Sequence, residues 1–266
     1  MQPMRPTLII TTFNWKEALE LSVLSAFKQT TLPCEIIVAD DGSDDDTRQM
    51  VDKLKKNSPV PVVHSTQRNK GFRLARSRNK ALAISKGDYI ILIDGDIVVE
   101  KHFIEDHVLA ARENCFIQGS RVLLNAQATA TAFERKKLRP CLTDPNLKNR
   151  KNCLRCSLLS KLCSRPVKYL TGVKTCNFAF WRKHAELVNG FNEDFIGWGR
   201  EDSEFTARML HNGIYRRNLK FKAVVFHLFH QINSREYLAA NDKILAHTLD
   251  NHLKWCENGL SQHLET

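Results

Sequence analysis

The sequence lacks any run of about 18 consecutive apolar residues, which excludes a membrane-spanning helix on sequence grounds. It also lacks the apolar region and small-residue cleavage site of an export signal. MQPMRPTLIITTF passes straight into Asn14 and charged residues, and reads as a first strand. Without such a signal the eight cysteines are expected as reduced thiols of a cytoplasmic protein. Between Ala132 and Lys168 the only aromatic is Phe133, which argues against a base-stacking surface, so no nucleic-acid partner is expected. Acids are as scarce there. Residues 135–168 hold eleven Lys and Arg against Asp144 alone, about +10 of the net +11, and the rest of the chain is nearly neutral. That is the footprint of an anionic partner, such as a membrane surface, which would place the protein peripherally on the inner face of the cell membrane.

What is present is centred on Gly87 to Glu100, GDYIILIDGDIVVE. From Tyr89 to Ile93 the run is apolar without alternation, as in a strand buried on both faces of a parallel sheet. It stops at Asp94 and Asp96, with Gly95 between them free to turn. Two carboxylates so close repel each other, unless they serve a divalent cation that clamps phosphates; an ordinary acidic turn is the other reading.

Around this stretch strands and helices alternate. Thr7 to Thr12 and EIIVA at 35–39 read as buried strands, and Val60 to Ser65 as a third. Helices are expected after Asn14 with Leu19, Val23, Leu24 and Phe27 inward, over 44–57 with Met50, Val51 and Leu54 inward, and over 71–86. The order argues an α/β fold with a mostly parallel sheet. Ligands of such sheets sit beyond the carboxyl ends of the strands, where Thr11, Asp41 and Asp94 fall. A helix after Lys101 should lead to a strand near 116–124.

Cys141, Cys153, Cys156 and Cys163 follow in the basic segment, where the C-x-x-C spacing can hold a structural Zn²⁺ or simply carry free thiols. Leu154, Leu158, Leu159 and Leu162 recur at helical spacing among the cations, as in a membrane-surface helix or a charged lid. FNEDFIGWGREDSEF then sets Trp198 between two glycines, either to stack on a sugar ring or to plug the domain edge. Asp202 opens a helix to Asn212. A strand at 222–227 ends in His227, with His230 three residues on; either could be a metal ligand. From Ser234, a last helix sets Leu238, Leu245, Leu249 and Leu253 on one face, expected against the sheet.

Taken in order, TTFN (11–14), VADDGSDDDT (38–47), NKG (69–71), RN (78–79), GDYIILIDGD (87–96) and GWGRED (197–202) resemble a family 2 glycosyltransferase of the GT-A fold, Rossmann-like in its nucleotide-sugar half. GWGRED is also similar to the acceptor motif of β-1,4-galactosyltransferases and chondroitin-type polymerases. The resemblance implies an inverting, metal-dependent hexosyltransferase using a UDP-sugar donor and a glycan or glycolipid acceptor, as in bacterial lipopolysaccharide synthesis. It implies Thr11, Phe13, Asp41, Arg78 and Asp94 at the donor, and Asp96 with His227 on Mn²⁺ or Mg²⁺. Trp198 and Glu201 fall at the acceptor, with Asp202 as catalytic base. Phe13 stands where the family often has Tyr, and Arg200 where the galactosyltransferases have Gly. One domain, 1–266, is expected: a nucleotide-sugar half (7–124), a basic insert (133–168), an acceptor half (169–233) and a C-terminal helix (234–258). Rival readings are a phosphorylated acidic pocket at Asp40 and Asp41, or a non-catalytic, nucleic-acid-binding α/β module acting through 135–168.

Overall fold

The computed structural model describes residues 3–136, 138, 142–231 and 234–264. The first half runs β1 (Pro6–Thr12), α1 (Lys16–Ala26), β2 (Glu35–Asp40), α2 (Asp45–Lys56), β3 (Val62–Thr66), α3 (Leu74–Ile84), β4 (Tyr89–Asp94), β5 (Ile97–Val99), α4 (Phe103–Ala110), β6 (Cys115–Gln118) and β7 (Val122–Leu124). The second runs α5 (Ala126–Arg135), β8 (Leu147–Lys148), α6 (Ser157–Cys163), β9 (Pro166–Val167), β10 (Phe178–Trp181), α7 (Arg182–Leu187), α8 (Glu201–His211), β11 (Tyr215–Asn218), β12 (Val225–His227) and α9 (Leu238–Asp250).

The unbroken apolar runs lie at the centre of an eight-stranded sheet ordered β3-β2-β1-β4-β10-β6-β11-β9. β3, β2, β1 and β4 are parallel, and β10 inserts antiparallel between β4 and β6. Both faces of β4 are covered. Ile91 and Ile93 join Leu8, Ile10 and Val38 beneath α1 and α2, while Ile90 and Leu92 join Ile9, Ile37, Leu82 and Phe205 on the other side. Each such side chain contributes about 1.5–3 kcal/mol on burial. α2 starts where the sequence places it because the Asp44 carboxylate caps it, accepting from Thr47 N at 3.1 Å.

The expected strand at 116–124 is two strands. β6 belongs to the large sheet, whereas β7 joins a second one ordered β5-β12-β7-β8. Gly119, at the break, lies against the Asn177 side chain where no Cβ would fit. This small sheet carries His227 and hangs the basic segment on the body through β8. Arg155 of that segment also clamps the buried Asp106 through both carboxylate oxygens, at 2.7 and 2.9 Å.

The C-terminal helix departs further from expectation: it spans Leu238–Asp250, not 234–258, and packs on α8. Its fully buried residues are Asn241 and Thr248, and the leucines stay partly exposed. Asn241 donates to the carbonyls of Ile196 and Gly199, both at 3.0 Å, and Thr248 donates to Glu204 at 3.1 Å. An unpaired buried carbonyl or carboxylate costs more than a half-covered leucine returns, so the polar residues turn inward.

Candidate active site

The parallel register brings the ends of β1, β2 and β4 to one edge. Thr11 pairs with Asp94 across β1 and β4, and its hydroxyl donates to the Asp94 carboxylate at 3.1 Å. Asp41, just past β2, accepts from Gln67 Nε2 at 2.5 Å and from the Arg73 amide at 2.7 Å. Burial raises its pKa. Phe13 stands at the same edge, 45% exposed. The Asp94-Gly95-Asp96 turn crosses the end of β1 so closely that a Cβ on Gly95 would lie 2.7 Å from the Thr11 carbonyl.

Beyond the turn, β5 runs antiparallel to β12, with Ile97 opposite His227 and the Leu228 amide donating to the Asp96 carbonyl. Both candidate histidines therefore reach one oxygen. Asp96 Oδ2 is 3.5 Å from His227 Nε2 and 3.2 Å from His230 Nε2. Asp96 Oδ1 is buried with no hydrogen-bond partner. Burial, then the Asp94 charge, pushes the Asp96 carboxyl up to about 8; burial pulls His227 down to about 4, keeping it neutral. An orphaned carboxylate oxygen beside two imidazoles fits a divalent cation, with ligand atoms all within 4.8 Å of one another. Among the described residues no other such cluster forms. The zinc expectation is thus corrected: Cys153, Cys156 and Cys163 do not gather around a common point, and Cys141 lies outside the described residues.

The second half enters through the loop before α8. Gly197, Gly199 and Arg200 all adopt positive φ, at 72, 109 and 77°. The last explains why glycine suits that position in galactosyltransferases, since a side chain there is strained. The loop is pinned by Gly197 N to the Phe72 carbonyl and by Asn241. Trp198 does not plug the edge: it is 39% exposed, with the Arg235 guanidinium 5.7 Å from its ring centre. α8 opens on Glu201, Asp202 and Glu204, anions that favour its N-terminus. Asp202 accepts from the Ser203 amide at 2.7 Å. Burial first and Glu201 second push its carboxyl up to about 7, against the pull of Arg78.

Arg78 ties the two halves together. Its guanidinium, 1% exposed, donates to Glu201 at 3.2 Å, Asp94 at 3.4 Å and Thr175 at 2.7 Å. Its partners are therefore protein groups from three distant segments. Gln67, Thr175 and Asn241 escaped the sequence reading because each works through a contact with a residue remote in the chain or on another element.

These motifs match a family model. "Glycosyl transferase family 2" matches residues 7–160, and "N-terminal domain of galactosyltransferase" matches residues 158–231. The chain belongs to glycosyl transferase family 2. Chondroitin synthase of Escherichia coli is 24% identical over 249 residues, 83% of this chain and 34% of that protein. The chain therefore spans about a third of that relative's length. WfaP of Escherichia coli, a UDP-Glc:alpha-D-GlcNAc-diphosphoundecaprenol beta-1,3-glucosyltransferase, is 32% identical over 125 residues, 44% of this chain and 48% of that protein. Among solved structures, S. aureus TarS 1-349 in complex with UDP superposes with a TM-score of 0.64 at 18% identity, covering 98% of this chain and 68% of that one. That likeness is one of fold, and it agrees with the GT-A expectation. Enzymes of this family generally use a divalent metal, in keeping with the Asp96 cluster.

Proposed function

We propose that this chain transfers a hexose or N-acetylhexosamine, with inversion, from a UDP-sugar to a hydroxyl of a glycan or glycolipid acceptor in surface polysaccharide synthesis. One observation carries the reading. Arg78 joins Asp94, at the strand-end edge, to Glu201, beside Asp202, which supports a reading in which donor-type and acceptor-type motifs act side by side.

In this reading Asp41 accepts from the uracil and Thr11, Phe13 and Asp94 line the donor pocket. Arg78 acts through Asp94 and Glu201. Asp96, His227 and His230 would hold Mn²⁺ or Mg²⁺, which supplies Lewis-acid charge toward the diphosphate when bound. Trp198 offers a ring face to the acceptor sugar and Glu201 orients its hydroxyl. Asp202 takes the hydroxyl proton, and a pKa near 7 suits that task. Calorimetry in Mn²⁺ should find UDP bound and ADP and GDP bound at least about tenfold more weakly, the cost of a mismatched polar pair at Asp41. Equal binding of all three would refute the uracil site.

The acceptor is proposed to be met at an anionic membrane surface through the basic segment, as the diphosphoundecaprenol in the WfaP name suggests for that relative. Support comes from α6, where Leu158 and Leu162 are 69% and 61% exposed on one face. Lys148, Arg150, Lys151, Lys161 and Arg165 are exposed nearby and form no ion pair among the described residues. No helix among the described residues is long and apolar enough to cross a membrane. The chain should sediment with phosphatidylglycerol vesicles and not with phosphatidylcholine, and Leu158→Glu with Leu162→Glu should abolish this. Unchanged sedimentation of that variant would remove the idea. The nucleic-acid alternative has no comparable support, since the comparisons all point to glycosyl transfer.

A further inference from the structure

A diphosphate at this edge would join Asp94 and Asp96, and one divalent cation does not offset all of that negative charge, so a cationic side chain is needed beside it. Arg78 is already committed to Glu201, Asp94 and Thr175. Arg121 is placed differently. It lies in the connection between β6 and β7, and its carbonyl is fixed by Asn152 Nδ2 at 2.9 Å. β7, which begins at the next residue, pairs with β12 so that Leu123 lies opposite His227. The half-buried side chain reaches the segment that holds Arg78: Nη1 donates to Cys176 Sγ at 3.4 Å, next in sequence to the Thr175 that accepts from Arg78.

Among the described residues Arg121 forms no ion pair with a carboxylate. A guanidinium has five N–H donors and a thiol is a weak acceptor, so most of its hydrogen-bonding capacity is unspent. None of its N–H groups is a buried orphan, so the free ones stay open to solvent and to a ligand. The planar fork matches two phosphate oxygens, which a lysine cannot do.

We infer that Arg121 binds the diphosphate of the nucleotide-sugar donor and stabilises the negative charge that builds on it as the sugar departs. The inference rests on the UDP-sugar reading. In chemical terms the bond between the anomeric carbon and the diphosphate oxygen breaks while the acceptor oxygen bonds to that carbon. The electron pair of the broken bond stays on the diphosphate, and the acceptor's proton passes to Asp202.

The test compares UDP with uridine, which lacks the phosphates, by titration of the full chain at saturating Mn²⁺. For Arg121→Gln we expect UDP affinity to fall about tenfold or more, uridine affinity to hold, and Mn²⁺ affinity to hold. Arg121→Lys should recover part of the loss. UDP affinity unchanged in Arg121→Gln, or equal losses for UDP and uridine, would overturn the inference. So would a loss of Mn²⁺ binding that accounts for the UDP effect, because Arg121 would then merely offset the Asp94–Asp96 repulsion. Wild-type protein that binds neither UDP nor uridine would instead refute the nucleotide-sugar reading, and this inference with it.

Discussion

Asp202→Asn should lower turnover by about 10²–10⁴-fold, the usual worth of a positioned general base, while leaving UDP binding intact. The amide keeps the shape of the carboxylate and its acceptor oxygen toward the Ser203 amide, but it cannot take a proton. The pH profile carries the stronger signature. With the carboxyl pushed up to about 7, wild-type kcat/KM should rise through that pH and then level, and the variant should lose the rising limb. Stability should move the other way. Because the folded pKa lies above the ordinary carboxylate value of 3.8, the folded state holds a proton that the unfolded chain has lost. Stability therefore falls as pH rises between these two values. The Asn variant, free of that cost, should melt at or above the wild-type temperature at pH 7.5. Near-normal turnover would end the base assignment, and a large drop in Tm would mean that the residue is structural.

Asp96→Ala should reduce Mn²⁺ affinity more than about 100-fold, beyond the effect of losing an outer-shell partner, and take donor turnover with it. It removes the one carboxylate that both histidines approach. Since the cation must displace a proton from a carboxyl pushed up to about 8, wild-type affinity should weaken about tenfold per pH unit below that value. His227→Ala and His230→Ala, titrated separately, divide the remaining affinity between the two imidazoles. Mn²⁺ binding that survives Asp96→Ala would dismiss the site.

These assignments were legible in the sequence to different depths. β4 could be read directly because a strand covered on both faces needs an unbroken apolar run, and the acids that end it had to lie at the sheet edge. The α8 loop was legible as a glycine-flanked Trp before two acids. Its connection to the strand-end edge was not, because Arg78 and Glu201 are 123 residues apart and only folding joins them. The spacing left His227 and His230 open; the antiparallel pairing of β12 with β5 brings both to Asp96. Three readings failed for physical reasons. The leucine stripe of α9 lost to polar residues that complete buried carbonyls and the Glu204 carboxylate. The 116–124 strand split at Gly119 because β7 pairs in the second sheet. The cysteine spacing suggested a metal, yet Cys156 opens α6 and the exposed Cys163 closes it.

The most direct measurement is UDP release by the purified chain from UDP-glucose, UDP-galactose and their N-acetylated forms, with and without Mn²⁺. Metal-dependent release from one of these donors, lost in Asp96→Ala, is the predicted result and names the sugar. No release from any of them, together with no calorimetric UDP binding, would contradict the proposed activity.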